Sequence, residues 1–357
     1  MRYRHSEVLA ATDFGGAATE IIDLSVVDPI SRLTLIFKPI GGSDTAIAHV
    51  VAAISRLELI DGSDILYSLT GPEGHALNIF EAPTPMATHL DYRNGGTPYI
   101  IINIDFGRYL WDTELAFVPG NFANPQIRLT HNEAAWDGSC GSHSFQIYAQ
   151  LFDEKAISPM GFLMNKEIKA YIGAAGGYEY TDLPTDYPMR KLIIQGFELG
   201  RTVRSTVEDI KLSEDNDKRV PIDGDIYNLR GILDPVSGEC VDHIVMRGTQ
   251  AGNRVYCTPG QFYAPQASTA LRANYLGIAG IAGNTFVVEA QTGDVVVRCL
   301  VNGKNPHNCV CIPFGMQNDI EDWYDLANVG SLKLRINGGG RAQHGMTRIV
   351  TQQLRRY

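Results

Sequence analysis

The chain runs through the same ordered series of segments twice, and this constrains its fold more than any other feature. Around residue 100 an apolar run, Tyr99–Asp105, leads into Phe106-Gly107, an acidic stretch (Trp111-Asp112-Thr113-Glu114) and an alternating segment, Gln126–Thr130. Near the end Cys309–Ile312 leads into Phe314-Gly315, a second acidic stretch (Asp319 to Asp325) and the alternating Ser331–Ile336. The two Phe-Gly pairs lie 208 positions apart, and each series closes on one more alternating segment, Ser144–Leu151 and Met346–Leu354. Array repeats recur every ~20–50 residues, so a recurrence this long implies two copies of a whole domain.

The repeat extends backwards. Leu33–Phe37, Ile54–Asp61 and Asp64–Tyr67 precede the first series, with Asp61-Gly62 as the turn between the last two. Leu192–Phe197, Ile210–Leu212 and Ile222–Leu229 precede the second, with Asp223-Gly224 in the corresponding place. Glycine after aspartate suits a tight hairpin because it accepts positive φ. Period-two alternation, as in Leu332-Lys-Leu-Arg-Ile336, places aliphatic residues on one face and Lys or Arg on the other. Helix signals are few: Thr45 to Ala53 and Asp319 to Leu326 are the best candidates, and Asp112 to Phe117 a single turn. Their acidic openings suit the positive end of a helix dipole.

About eight strands per half, with long excursions such as Gly71 to Thr97 and Leu233 to Ser268, predict an all-β chain of two tandem jelly-roll β-sandwich domains with a few short helices in the connections. An immunoglobulin-like pair is disfavoured, since each half is about 190 residues against roughly 100 for that fold. The expected limits are an N-terminal arm over 1–18, a first jelly roll over 19–158 and a second over 159–357.

The charge excludes one class of partner. With 40 acidic against 30 basic residues the formal net charge is −10, and a broad phosphate-binding face needs a basic excess. Direct bulk nucleic-acid binding is not expected. Local basic spots stand at both ends: Arg2 and Arg4 beside His5, then Arg355 and Arg356. They read either as solvated, frayed ends or as contacts to an acidic surface such as lipid head groups. Met-Arg-Tyr-Arg-His opens the chain with no apolar core of about 7–15 residues behind it. No run approaches the ~20 apolar residues of a membrane span. The expectation is a protein made and used without crossing a membrane.

The six cysteines are scattered, which is unlike a disulfide framework. Cys309 and Cys311, with His307 and Cys299 nearby, suggest a metal site, but structural zinc usually takes Cys-x₂₋₄-Cys pairs. Buried sulfur is the better reading, and no metal or cofactor is expected.

In its two β domains, each carrying a strand, Phe-Gly, acidic connector and strand, the chain resembles the double jelly-roll major capsid proteins. That lineage includes those of tectivirus-like membrane-containing bacteriophages and, more distantly, adenovirus hexon. Ile102–Arg108, Asn124–His131 and Ile54–Leu69 carry the resemblance in the first copy. Tyr180–Thr185 leading to Lys191–Gln195, then Ile312–Gly315, carry it in the second, so that it spans about residues 20 to 357. The resemblance implies a non-enzymatic structural subunit of a virion, made in the host cytoplasm. It implies a homotrimer forming a pseudo-hexameric capsomer that tiles an icosahedral shell. The implied partners are neighbouring capsomers, minor capsid and vertex proteins and an internal lipid membrane. Phe106, Gly107, Phe314, Gly315, Asp61, Gly62, Asp223 and Gly224 are then a repeated structural motif. Arg2, Arg4, Arg355 and Arg356 are candidate inner-surface or membrane contacts.

An enzyme would need convergent acid, base or nucleophile groups. No two of the nine histidines lie two apart, and no Gly-x-Ser-x-Gly, P-loop or Gly-x-Gly-x-x-Gly is present. Asp215-Asn-Asp217 and Asp223-Gly-Asp225 lack EF-hand spacing and read as polar turns. His131 and His143 with Asp137 flank a Gly-rich stretch and read as a solvated loop. The alternative function is a two-domain jelly-roll glycan hydrolase, which needs paired carboxylates in a cleft, or a carbohydrate-binding protein, which the three tryptophans support poorly.

Overall fold

The computed structural model describes residues 2–82, 84–269, 276–290 and 295–357. The first half runs β1 (Tyr3–Thr12), β2 (Ala18–Asp23), β3 (Ile30–Pro39), β4 (Ile54–Asp61), β5 (Asp64–Leu69), α1 (Gly71–Glu81), β6 (Met86–Asp91), β7 (Ile100–Asp105), β8 (Pro125–His131) and β9 (His143–Phe152). Strands β1-β9-β3-β7 form one layer and β2-β8-β4-β5 the other, the strand order of a jelly roll. Alternation decides what packs between them. Leu33, Leu35 and Phe37 of β3, Ile100, Ile102 and Ile104 of β7, and Phe145 and Ile147 of β9 are buried against Leu57 and Leu59 of β4 and Ile127 and Leu129 of β8. Each such side chain contributes about 1.5–3 kcal/mol on burial.

The second half repeats the plan. It runs β10 (Gly161–Tyr171), β11 (Tyr178–Leu183), β12 (Met189–Phe197), β13 (Val207–Glu214), β14 (Arg219–Asp225) and α2 (Ile226–Ile232). A long insertion follows: β15 (Cys240–Gly248), β16 (Asn253–Tyr256), β17 (Pro259–Thr269), β18 (Leu276–Ala282), β19 (Thr285–Ala290) and β20 (Val295–Pro306). The roll closes with β21 (Cys309–Pro313), β22 (Leu332–Gly338) and β23 (Met346–Arg356). Its layers are β10-β23-β12-β21 and β11-β22-β13-β14, with Leu192, Ile194, Ile210, Leu212, Leu334, Ile336 and Ile349 in a core of their own.

The rolls are fused edge to edge. β10 lies parallel to β5, pairing Asn165 with Tyr67 and Lys166 with Ser68, which makes one eight-stranded sheet. Parallel pairing sets both rolls upright in the same sense. The chain ends, the β4–β5 and β13–β14 turns and the connectors 106–124 and 314–331 gather at one end, the foot. The excursions after β5 and β14 leave from the other end, the head. There β6 joins the second excursion, lying parallel to β15 from Met86↔Cys240 to Asp91↔Val245. The sheets β17-β20-β15-β6 and β16-β19-β18 make a crown to which both halves contribute.

The expected arm over 1–18 contains the first strand of the first roll, Tyr3–Thr12, paired along β9 from Tyr3↔Phe152 to Thr12↔Phe145. Several expectations are corrected. Thr45 to Ala53 yields a single 3₁₀ turn, Val50–Ala53, and Asp319 to Leu326 only the turn Ile320–Asp322. The longest helix, α1, lies instead in the excursion. Thr70 caps it, accepting from the Glu73 N–H, while the Glu73 side chain accepts from the Thr70 N–H, with proline in the first turn. This reciprocal box satisfies two of the orphan donors at the helix start.

Candidate functional site

The repeated Phe-Gly pairs build the foot. Phe106 is buried and stacks on Phe117 with centroids 5.0 Å apart. A Cβ on Gly107 would stand 2.6 Å from the Asp112 Cβ, so only glycine fits. Asp112, fully buried, accepts from the Arg108 N–H at 3.1 Å and from the Arg108 guanidinium at 2.7 and 2.9 Å. Burial pushes its pKa up, and the hydrogen bonds from Arg108 outweigh this and hold it below the usual carboxylate range. The second copy uses the same device. Phe314 packs on Tyr324 at 4.9 Å, Gly315 turns at φ +66°, and the Asp322 carboxylate accepts from the Met316 N–H at 2.5 Å. The copies also touch, because Arg108 Nη1 donates to the Asn318 carbonyl at 2.7 Å.

Asp61-Gly62 forms the β4–β5 turn with Gly62 at φ +61°, and Asp61 accepts from the Asn124 N–H at 2.7 Å. Asp223-Gly224 does not correspond. It lies inside β14, where Gly224 faces Ile210 across the ladder. The matching turn is Asp215-Asn216-Asp217, all at positive φ, and Asp215 accepts from the Ser331 N–H at 2.9 Å just as Asp61 serves Asn124. Asp and Asn tolerate that conformation through local side-chain hydrogen bonding, so the second copy makes the turn without glycine.

The basic ends also stand at the foot, and they are not frayed. Arg4 pairs with Asp28 at 2.5 Å and Arg355 with Asp64 at 2.6 Å. Tyr357 Oη donates to the Ala116 carbonyl at 2.7 Å. Trp111 sits at φ +70° with its ring on Tyr3 at 4.3 Å, holding the start of the chain on the connector. Arg2 and Arg356 are exposed.

Polar groups that single segments did not reveal meet where the two rolls join. Glu81, ending α1, accepts from Arg190 Nη1 and Lys191 Nζ of β12, both at 2.6 Å. Burial pushes its pKa up, but Lys191 and then Arg190 bring it down to about 2. His49, His75 and His307 form a buried trio, with His75 Nδ1 2.9 Å from His307 Nε2. Burial lowers all three, His75 to about 4, so the trio is neutral at neutral pH. His49 and His307 line a cavity of about 410 Å³, walled by Ile47, Phe197, Leu199 and Tyr256, at the base of the crown.

His131 and His143 are not in a solvated loop. Both are buried, and Glu133, not Asp137, lies between them. Asp137 faces away, accepting from the Gly42 N–H at 2.8 Å and Ser43 Oγ at 2.9 Å. The signal was the pair His131-x-Glu133, but its third member, His143, arrives only when β8 and β9 fold side by side. Cys309 and Cys311 are buried in β21, and burial pushes the Cys311 thiol up to about 11.

No family model and no curated protein matches this chain. Solved structures do. The major capsid protein P2 from bacteriophage PM2 aligns over 99% of this chain and 98% of its own, with TM-score 0.56 and 11% identity. The major capsid protein of STIV, Sulfolobus Turreted Icosahedral Virus, aligns over 99% and 96%, with TM-score 0.59 and 10% identity. VP54 of PBCV-1 aligns over 99% and 93%, with TM-score 0.57 and 8% identity. At such identities the likeness is one of fold, and that fold is the double jelly roll.

Proposed function

We propose that this chain is a viral major capsid protein, a non-enzymatic subunit of a virion shell. The observation that carries this reading is the whole architecture. Two upright jelly rolls are fused through β5 and β10 under a shared crown, a plan matched over 99% of the chain by capsid proteins of unrelated sequence. Nothing in the geometry favours a glycan hydrolase.

The subunit assembles as a trimer. Ile21 (60% exposed) and Val27 (79%) present apolar surface on the flank of the first roll, and Tyr180 (57%) on that of the second. Unlike flanks meeting head to tail give a heterologous contact, which closes into a ring when the rotation permits. Three chains then display six jelly rolls, a pseudo-hexagonal capsomer able to meet its neighbours and minor proteins on six similar sides. The rolls divide at 158/159, within the irregular stretch 153–160, and a flexible insertion there should leave assembly intact.

The foot faces inward. Arg2 and Arg356 offer cations to anionic lipid head groups, an attraction of about 1 kcal/mol per basic residue near such a surface. Flotation with phosphatidylserine vesicles tests this: Arg2→Glu with Arg356→Glu should release the protein, and unchanged flotation rejects the contact. Light scattering with electron microscopy tests the main reading. A trimer weighs about 118 kDa, three times 39.2 kDa, and shows a pseudo-hexagonal outline. A strict monomer at high concentration, with no assemblies, overturns it.

A further inference from the structure

We propose that the head of the first jelly roll carries a zinc-class metal site formed by His131, Glu133 and His143, with Asp13 completing it. His131 ends β8, Glu133 opens the single 3₁₀ turn that follows, and His143 begins β9. One donor atom from each lies within 4.8 Å of the others. Asp13, just past β1, brings Oδ1 to 3.6 Å from His143 Nε2. Thus two separate connections of the roll, the one after β1 and the one between β8 and β9, converge on one point.

One edge of the cluster already has the length that coordination requires. Two donors each about 2.0–2.1 Å from a tetrahedral zinc ion stand about 3.3 Å apart. His143 Nε2 is 3.2 Å from Glu133 Oε1, close to that edge, yet it makes no hydrogen bond. His131 Nδ1 contacts the same carboxylate oxygen. The Nε2 atoms of both histidines are buried without a hydrogen-bond partner, which native structures rarely tolerate. Both imidazoles face the one buried carboxylate oxygen, yet only His131 is hydrogen-bonded to it and His143 Nε2 is left without a partner. A divalent ion converts the same atoms into ligands. Two neutral imidazoles and two carboxylates balance its double charge, and imidazole with carboxylate is a donor set zinc accepts.

The surroundings support a built site. Phe145 packs on His131 at 5.0 Å and Phe14 at 6.0 Å, fixing the ring from two sides. Asp13 is itself positioned, accepting from the Gly15 N–H at 2.9 Å. Its side chain is 47% exposed, which leaves the ion a path in. The bound metal ties the connection after β1 to the one between β8 and β9, independently of whether the chain forms a capsid.

The test uses the full chain, stripped with a chelator and titrated with Co²⁺ as a spectroscopic probe, then competed with Zn²⁺. One ion per chain is expected, with the d–d bands of a tetrahedral nitrogen and oxygen site and no thiolate charge-transfer band. His131→Gln and His143→Gln should each weaken binding by at least about tenfold, the scale on which even outer-shell changes act. Asp13→Asn, at a half-exposed position, should weaken it less, and Cys140→Ser should leave it unchanged. Zn²⁺ should raise the melting temperature of the parent chain and not of the folded histidine variants. Absence of stoichiometric binding by the parent chain overturns the proposal. So does binding unaltered in the histidine and aspartate variants, or lost with Cys140→Ser.

Discussion

Replacing Glu81 with glutamine removes the charge that neutralises two buried cations between the jelly rolls. Arg190 and Lys191 are 2% and 5% exposed, and each stands 2.6 Å from Glu81 Oε1. Folding takes the Glu81 pKa from 4.5 to about 2, which corresponds to about 3 kcal/mol of stability. Because the folded value is depressed, that stability is fully present above pH 4.5 and is lost as pH falls through 2. Glutamine also leaves Arg190 and Lys191 facing each other, and removing one partner of a buried pair costs about 3–5 kcal/mol. An unfolding entropy of about 2.1 cal/mol/K per residue over 357 residues gives about 0.75 kcal/mol/K. The expected fall in melting temperature is therefore about 4–7 °C at pH 7. Calorimetry at fixed protein concentration measures it. Near pH 2 the parent's Glu81 is itself protonating, so the gap between the chains should close. Adding Lys191→Met to the variant should recover part of the loss, since an apolar side chain needs no counter-charge. A variant melting within about 1 °C of the parent at pH 7, or a gap that persists unchanged to pH 2, refutes the reasoning.

Three further outcomes follow from the geometry. His75 titrates at about 4 in the folded chain against 6.5 when free, so its contribution is present above pH 6.5 and lost as pH falls through 4. His75→Gln should flatten the melting temperature across that window, which a pH series of melts reads directly. Gly62→Ala meets open space and should cost about 1–2 kcal/mol for its positive φ. Gly315→Ala puts a Cβ 2.0 Å from the Asp322 carbonyl oxygen and should cost more, about 3 kcal/mol or above, because backbone must move; urea melts of the pair separate the two. Ile21→Asp with Tyr180→Asp should drop the light-scattering mass from about 118 kDa to the 39.2 kDa of one chain while far-UV circular dichroism stays unchanged.

The strands with strong alternation were legible: β7, β8, β9 and β22 bury every second side chain over much of their length, whereas β23 alternates only at its start before the buried run Ile349–Leu354. β1 was not, because it is an edge strand with no fully buried residue, and Arg4, His5 and Glu7 give it the look of a solvated tail. α1 escaped for the opposite reason. Eight of its eleven residues are buried, so it has no polar face to set a helical period, and Gly71 and Gly74 lower its helix propensity. Its Thr70–Glu73 box was the available signal. The Asp223-Gly224 match failed because a dipeptide says nothing about strand register, whereas Asp215 and Asp61 correspond through what they hold. The polar clusters were illegible in principle: Glu81 and Arg190, or His75 and His307, meet only through packing across the chain.

The pairing of β6 with β15 has a consequence for synthesis. A chain emerging from the ribosome can complete the first sandwich once β9 ends at Phe152, but β6 must wait for β15, which ends at Gly248. At about 5–20 residues per second that interval is on the order of 5–20 seconds. Throughout it a nascent strand with unpaired amides projects from an otherwise finished sandwich, open to the same segment on a neighbouring polysome. Met86–Asp91 carries charge at its end and histidine and threonine along it, a composition that blunts such edge-to-edge sticking. Stalled chains ending near residue 200 should therefore be the aggregation-prone species, and chains released past Gly248 should not.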